Sequence, residues 1–299
     1  MEASIWTLDY WAGISKQFGD KERSWGVHSE HEVKGASLCY EVKGEGPCIV
    51  FMGGGDGGYK PFQSLRDLLV KHFTVVLYSR RGYYKSKLTE PQDYTKRLDT
   101  DVEDLYAVIK NVTNKSFSIF TSSSSGIVAL TYVDRYPNTV DKCFLHEPMV
   151  DLSALPNGEQ VKSDHRKGME IFERYGRDAT LVYFGDLYLN KSDRYYMVDK
   201  QVNQVESGWD YHFEHEAHQY LFTKVDTDRV RKNKLVLFHG IESTESFIYR
   251  PGAAFSKALG MDIVPVPGEH IGFYTDYKMF AVEFIKVCKE CRVINHSKI

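Results

Sequence analysis

Chemistry in this chain centres on the run Thr121-Ser122-Ser123-Ser124-Ser125-Gly126. An apolar segment, Phe117 to Phe120, leads into it, and a helix-forming segment, Ile127 to Tyr136, leads out. Strand, tight turn of small residues, helix is the setting in which a serine is presented as a nucleophile. Such a turn is strained and passes close to its neighbours, which demands small side chains. In the pattern Gly-x-Ser-x-Gly, Gly126 takes the last position and Ser122 stands in the first, which sets the nucleophile at Ser124.

A serine hydroxyl is a weak nucleophile at neutral pH and needs a base in contact and an acid to orient that base. The base is expected late in the chain, in a loop after the last strand. His270, within Val266-Pro267-Gly268-Glu269-His270-Ile271-Gly272, fits. Two carboxylates qualify as the acid. Glu147, in Leu145-His146-Glu147-Pro148, ends the strand after the turn's helix, and Glu242, in Phe238-His239-Gly240-Ile241-Glu242, ends the next. Strand C-terminal ends face the ligand crevice in open parallel sheets, so position alone leaves both open. Acyl transfer also needs donors for a developing oxyanion. The run Met52-Gly53-Gly54-Gly55-Asp56-Gly57-Gly58 follows a strand and lets backbone N–H groups approach without Cβ interference. The Gly54 N–H and the Ser125 N–H are the expected pair. The same loop lacks the Lys-Ser/Thr of a phosphate-binding loop.

The elements that must position these groups follow from patterning. Trp25 to Val33 and Ser37 to Val42 read as strands separated by a Gly turn, and Cys48 to Met52 is continuously apolar, as in a central parallel strand. Helices marked by Leu65, Leu68 and Leu69, and by Leu98, Val102, Leu105 and Ile109, then alternate with strands at Thr74 to Tyr78, Phe117 to Phe120 and Lys142 to Leu145. The alternation stops after Pro148 and resumes with strands at Leu235 to Phe238 and Ile263 to Val266, each followed by a helix. An α/β fold is expected: a mostly parallel sheet with helices on both faces and an inserted helical cap. The core is residues 25–150 and 233–299, the cap 151–232, and the aromatic-rich segment 1–24 an appendage. That segment packs on its own chain or on a second subunit of a homodimer.

The 299 residues, with 42% hydrophobic content and a net charge of −3, suit a globular protein with neither a nucleic-acid nor a membrane partner. The N-terminus has no secretory pattern, and five cysteines do not form a disulfide framework, so a cytoplasmic location is expected. Cys39, Cys48 and Cys143 read as buried small hydrophobes. His212, His215 and His218 are three residues apart and drift around a helix, so no metal and no cofactor are expected.

Together these parts resemble the α/β-hydrolase superfamily from about residue 30 onward, within it fungal zearalenone lactonase and related bacterial hydrolases. Ser122-Ser123-Ser124-Ser125-Gly126, Arg135-Tyr136-Pro137, Leu145-His146-Glu147, Ser243-Thr244-Glu245-Ser246-Phe247 and Pro267-Gly268-Glu269-His270 carry the likeness. It implies a Ser-His-Glu triad of Ser124, His270 and Glu147, favouring Glu147 over Glu242, and a small-molecule ester or lactone substrate. One departure is Ser79-Arg80-Arg81-Gly82-Tyr83-Tyr84-Lys85-Ser86, where Tyr84 replaces the second Gly of Asp-x-Arg-Gly-x-Gly-x-Ser. Another is Ser122, standing for the first Gly of the serine turn. The cap's aromatics, Tyr183, Tyr188, Trp209 and Phe213 among them, are expected to line an apolar pocket. The expected activity is hydrolysis of a carboxylic ester or lactone, such as a zearalenone-like macrolactone. A ligand-binding protein on the same fold and a C–C bond hydrolase are the alternatives.

Overall fold

The computed structural model describes residues 28–204 and 208–294; the expected appendage, 1–24, lies outside them. The described strands are β1 (His28–Val33), β2 (Ala36–Lys43), β3 (Cys48–Met52), β4 (Thr74–Tyr78), β5 (Lys87–Leu88), β6 (Phe117–Ser122), β7 (Val140–His146), β8 (Leu235–Gly240) and β9 (Ile263–Val266). They form one sheet in the order β1-β2-β4-β3-β6-β7-β8-β9, with β5 on β2. The pairs of β2 with β1, β4 and β5 are antiparallel, and every pair from β4 to β9 is parallel.

Side-chain alternation sends each strand's apolar residues to both faces of the sheet. On one face Val50, Val76, Ile119, Leu145 and Leu237 pack with helices α2 (Arg97–Val112), α3 (Gly126–Arg135) and α8 (Tyr249–Leu259). On the other, Ile49, Phe51, Val75, Leu77, Phe120 and Phe144 pack with α1 (Gln63–Leu69) and α10 (Tyr277–Glu290). Cys39, Cys48 and Cys143 are buried among them as free thiols. The functional ends of β3, β6, β7, β8 and β9 therefore converge on one rim.

Between β7 and β8 the described chain is helical. Helix α4 (Gly158–Tyr188) is broken at Gly176, where φ is 79°. Helices α5 (Lys191–Arg194), α6 (Trp209–His215) and α7 (Ala217–Tyr220) follow. Most of the insertion's aromatics pack on one another, because a helical segment of this size must bury an apolar face of its own. No helix among the described residues is long and apolar enough to cross a membrane.

Candidate active site

Strand β6 runs into a single 3-10 turn, Ser123–Ser125, before α3 begins. Within the run only Ser123 has a positive φ, 61°, the left-handed region that costs a side-chain-bearing residue on the order of 1–2 kcal/mol. Ser123 also reaches the cavity at this rim, whereas Thr121, Ser124 and Ser125 are buried. The structure thus presents to the cavity the residue before the expected Ser124. Ser124, expected as the nucleophile, is 2% exposed, and its hydroxyl has no hydrogen-bond partner. The residues two before and two after Ser123, Thr121 and Ser125, bond to each other through their hydroxyls, and Ser125 Oγ also donates to the Ser122 carbonyl at 2.9 Å. Gly126 serves packing instead of the turn: a Cβ there would come 2.9 Å from Pro148 Cβ.

Glu147 follows β7 with φ 42°. Its N–H donates to the Phe238 carbonyl at 2.9 Å, and Oε1 accepts the Gly240 N–H at 2.9 Å, so both ends of the residue are tied to β8. Oε2 lies 2.8 Å from His270 Nδ1, and both side chains are 1% exposed. Burial pushes the Glu147 carboxyl up, but the hydrogen bond from His270 and the nearby imidazoles of His146 and His270 outweigh it and hold it down at about 2. An ionised carboxylate only accepts, so His270 carries its proton on Nδ1 and has Nε2 left as a base. Glu242, the other candidate, is exposed and makes no ion pair with His270. Behind the pair, His146 packs among Phe120, Phe273 and Phe280, and burial pushes its imidazole down to about 4.

The glycine loop after β3 lies against the serine turn, and a Cβ on Gly54 would meet Ser123 Cβ at 2.8 Å. Arg80 holds this loop from behind: Nη2 donates to the Gly54 carbonyl at 2.7 Å and Nε to the Gly53 carbonyl at 3.4 Å. In a trans peptide C=O and N–H point in opposite directions, so turning these carbonyls toward Arg80 turns the Gly54 and Gly55 N–H groups away from it. Arg80 is fully buried and is neutralised by Asp101 at 3.0 Å and by Glu216, from the insertion, at 2.6 Å. Arg97 joins the same cluster, 2.9 Å from Glu216. Tyr84 has a positive φ, 50°, and lines the cavity.

The cavity measures about 1050 Å³ and is walled by the glycine loop, Ser123, His270 and residues of the insertion. Of the four aromatics expected there, only Trp209 lines it. Tyr188 stacks on Phe247 at 4.4 Å, and Phe213 packs with Phe172 and Phe184 inside the insertion. Tyr183 lies against Phe184 with its hydroxyl on the Asp164 carbonyl. The lining is mixed, with Phe62, Tyr196 and Phe273 beside Lys60, Gln63, Lys200, Gln201 and Gln204. Lys60 lies 4.3 Å from the Tyr84 ring centre and Lys200 5.1 Å from that of Tyr195; neither is in an ion pair among the described residues. The three spaced histidines diverge: His212 sits 3.5 Å from Glu216, His215 stacks on Tyr94, and His218 lies beside Gln219.

The family model for the alpha/beta hydrolase fold matches residues 46–175, which hold the glycine loop, the serine turn and Glu147. The chain has the α/β-hydrolase fold. It is similar to the uncharacterized hydrolase YraK of Bacillus subtilis (strain 168), 27% identical over 84% of this chain and 92% of that one. The serine hydrolase BPHL of Homo sapiens is 32% identical over 44% of this chain and 45% of its own length. Among solved structures, a thermophilic esterase from Thermogutta terrifontis superposes with a TM-score of 0.68 at 14% identity, covering 90% of this chain and 99% of that chain. The chain is a hydrolase of this fold.

Proposed function

We propose that this α/β hydrolase cleaves carboxylic esters, lactones included, through Ser123, His270 and Glu147. One observation carries the proposal. Ser123, the single strained serine of its run, faces the cavity that His270 also lines, and His270 is tied from behind to a buried, ionised Glu147. His270 Nε2 takes the Ser123 proton as the hydroxyl attacks the carbonyl, and Glu147 stabilises the imidazolium. The N–H groups of Gly54 and Ser124 hold the oxyanion. Ser124 follows the nucleophile and lies in the first turn of a helix, whose N–H groups have no intrahelical acceptor. His270 then protonates the leaving alcohol, and water releases the acyl group. In a lactone the alcohol stays tethered, so ring re-closure competes with release.

The human relative is named a serine hydrolase and the Thermogutta protein an esterase, in keeping with this chemistry. Lys60 and Lys200 in the lining favour esters with an acidic acyl portion, seated against the apolar surface of Phe62, Tyr196 and Phe273. The test is labelling with a fluorophosphonate and mapping of the modified peptide. Wild type is expected to label once, at Ser123, and Ser123→Ala not at all. An unlabelled wild type would mean a binding protein on this fold instead.

A further inference from the structure

The loop that carries His270 is not held by the core alone. Its two N–H groups at His270 and Ile271 point at the insertion, where one carboxylate receives both. Asp193 Oδ2 accepts the His270 N–H at 3.0 Å and Oδ1 the Ile271 N–H at 3.3 Å. The contact is reciprocal, because Asp193's own N–H donates to Glu269 Oε2 at 2.9 Å, in the same loop. Asn190, at the N-cap of α5, also accepts the Asp193 N–H and fixes the start of the helix. Asp193 is 1% exposed although it comes from a short, charged, otherwise exposed segment. A buried carboxylate is costly unless its lone pairs are used, and here the backbone of the histidine loop uses them. Burial pushes the Asp193 carboxyl up to about 6, against the pull of His270 and of its own backbone hydrogen bonds. Both of its oxygens accept backbone N–H groups of the histidine loop. Arg194, next to it, is turned to Asp186 and Asp199 and does not neutralise it.

His270 is thus gripped twice, at its ring by Glu147 on β7 and at its backbone by Asp193 on the insertion. The first grip sets the tautomer. The second sets where the imidazole sits relative to Ser123. We infer that Asp193 is a positioning residue for His270, so that the general base is assembled only when the helical insertion is docked on the core. This inference rests on the Ser123 mechanism proposed above. The insertion is then part of the catalytic machinery as well as a wall of the cavity, and whatever lifts α5 switches off proton transfer without touching the nucleophile.

Labelling kinetics test this, because the fluorophosphonate reports how well His270 activates Ser123, and the end point counts assembled sites. Asp193→Asn keeps the shape of the side chain but turns an amide N–H toward a backbone N–H. A misplacement of about 1 Å costs about a hundredfold in such chemistry. The labelling rate and kcat of Asp193→Asn are therefore each expected to fall about a hundredfold, with KM within about threefold and the end point still one label per chain. Glu269→Ala, which removes only the return bond, is expected to slow labelling in the same direction by less, and it serves if Asp193→Asn does not fold. A purely structural role would lower the end point and leave the rate of the surviving sites unchanged, which overturns the inference. So would wild-type labelling rates in both variants. An unlabelled wild type overturns the Ser123 mechanism and this inference with it.

Discussion

Ser123 and Ser124 are chemically identical neighbours, so exchanging each for alanine separates backbone geometry from sequence pattern. Ser123→Ala removes the proposed nucleophile, and turnover should fall at least about 10⁴-fold, as when a triad member is lost elsewhere. Ser124→Ala removes a hydroxyl that is 2% exposed and has no partner, while leaving the N–H that the mechanism uses. A buried unsatisfied hydroxyl costs roughly 1–3 kcal/mol, and the small void left by its oxygen returns part of that. Ser124→Ala should therefore be neutral to about 1 kcal/mol more stable, a rise in Tm of up to roughly 2–4 °C, with kcat within about threefold of wild type. Ser123→Gly relieves the positive φ but adds freedom to the unfolded chain, which leaves a net effect within about 1 kcal/mol and no activity. Hydrolysis of p-nitrophenyl esters, fluorophosphonate labelling and calorimetric melting of the three variants decide the matter. An active Ser123→Ala beside an inactive Ser124→Ala would refute the inference from backbone strain and restore the pattern-based register.

Other consequences are as direct. Gly54→Ala places a Cβ 2.8 Å from Ser123 Cβ and 3.0 Å from the Ser122 carbonyl oxygen; stopped-flow hydrolysis should show kcat down about a hundredfold, with KM changed only a few-fold. Two buried imidazoles lower stability in mild acid. Burial pushes His146 down to about 4, against the charge of Glu147, and His165 down to about 4, helped by His212 and His218. The unfolded chain takes up these protons near pH 6.5 and the native chain only near 4, so stability should be flat above about pH 7. Just below 6.5 the two histidines lower it by up to about 2.7 kcal/mol per pH unit, and below about 6 the carboxyls of Asp56 and Asp193, which burial pushes up to about 6 and which the native chain therefore protonates before the unfolded one, offset that fall. Urea unfolding at pH 7, 6 and 5 measures this slope, and His165→Phe should remove about half of it. Finally, the lysines in the cavity predict faster turnover of the mono-p-nitrophenyl ester of glutaric acid than of the valerate ester, by up to about tenfold in kcat/KM. The preference should fade in Lys60→Met/Lys200→Met and at high salt, and an unchanged ratio would dismiss the charge argument.

How much of this was legible depended on whether a property resides in side chains or in backbone and packing. The continuous apolar run Cys48 to Met52 announces a strand covered on both faces, and β3 is that strand. The glycine loop and His270 were findable because turn residues mark strand ends. The serine register was not, because four consecutive serines differ only in φ and the nearby Gly126 is a packing glycine. Position alone left the two carboxylates open and the resemblance favoured Glu147; β7 and β8 side by side, with the Gly240 N–H on Glu147, show why it is the one held against His270. The cap aromatics misled for a physical reason: an insertion must first fill its own interior and its seam with the core, so Phe213 packs on Phe172 and Phe184, Tyr188 packs on Phe247, and other aromatics, Tyr196 among them, line the cavity. Strand β5, two exposed residues long, has no pattern to detect. Asp193 sits in Asn190-Lys191-Ser192-Asp193-Arg194, where nothing separates a latch from a solvated charge.

The buried cluster of Arg80, Arg97, Asp101 and Glu216 bears on how freely such enzymes exchange parts. Two of its members are cations and two are anions, and one anion comes from the insertion. A chimaera grafting a foreign lid onto this core would strand a guanidinium with half its countercharge, a defect that typically costs about 3–5 kcal/mol. The stranded group is the one that orients the glycine loop. A new lid that lacked a carboxylate at the place of Glu216 would therefore bring a new specificity and a slackened oxyanion site together. Lid and core of this chain are heritable only as a matched set.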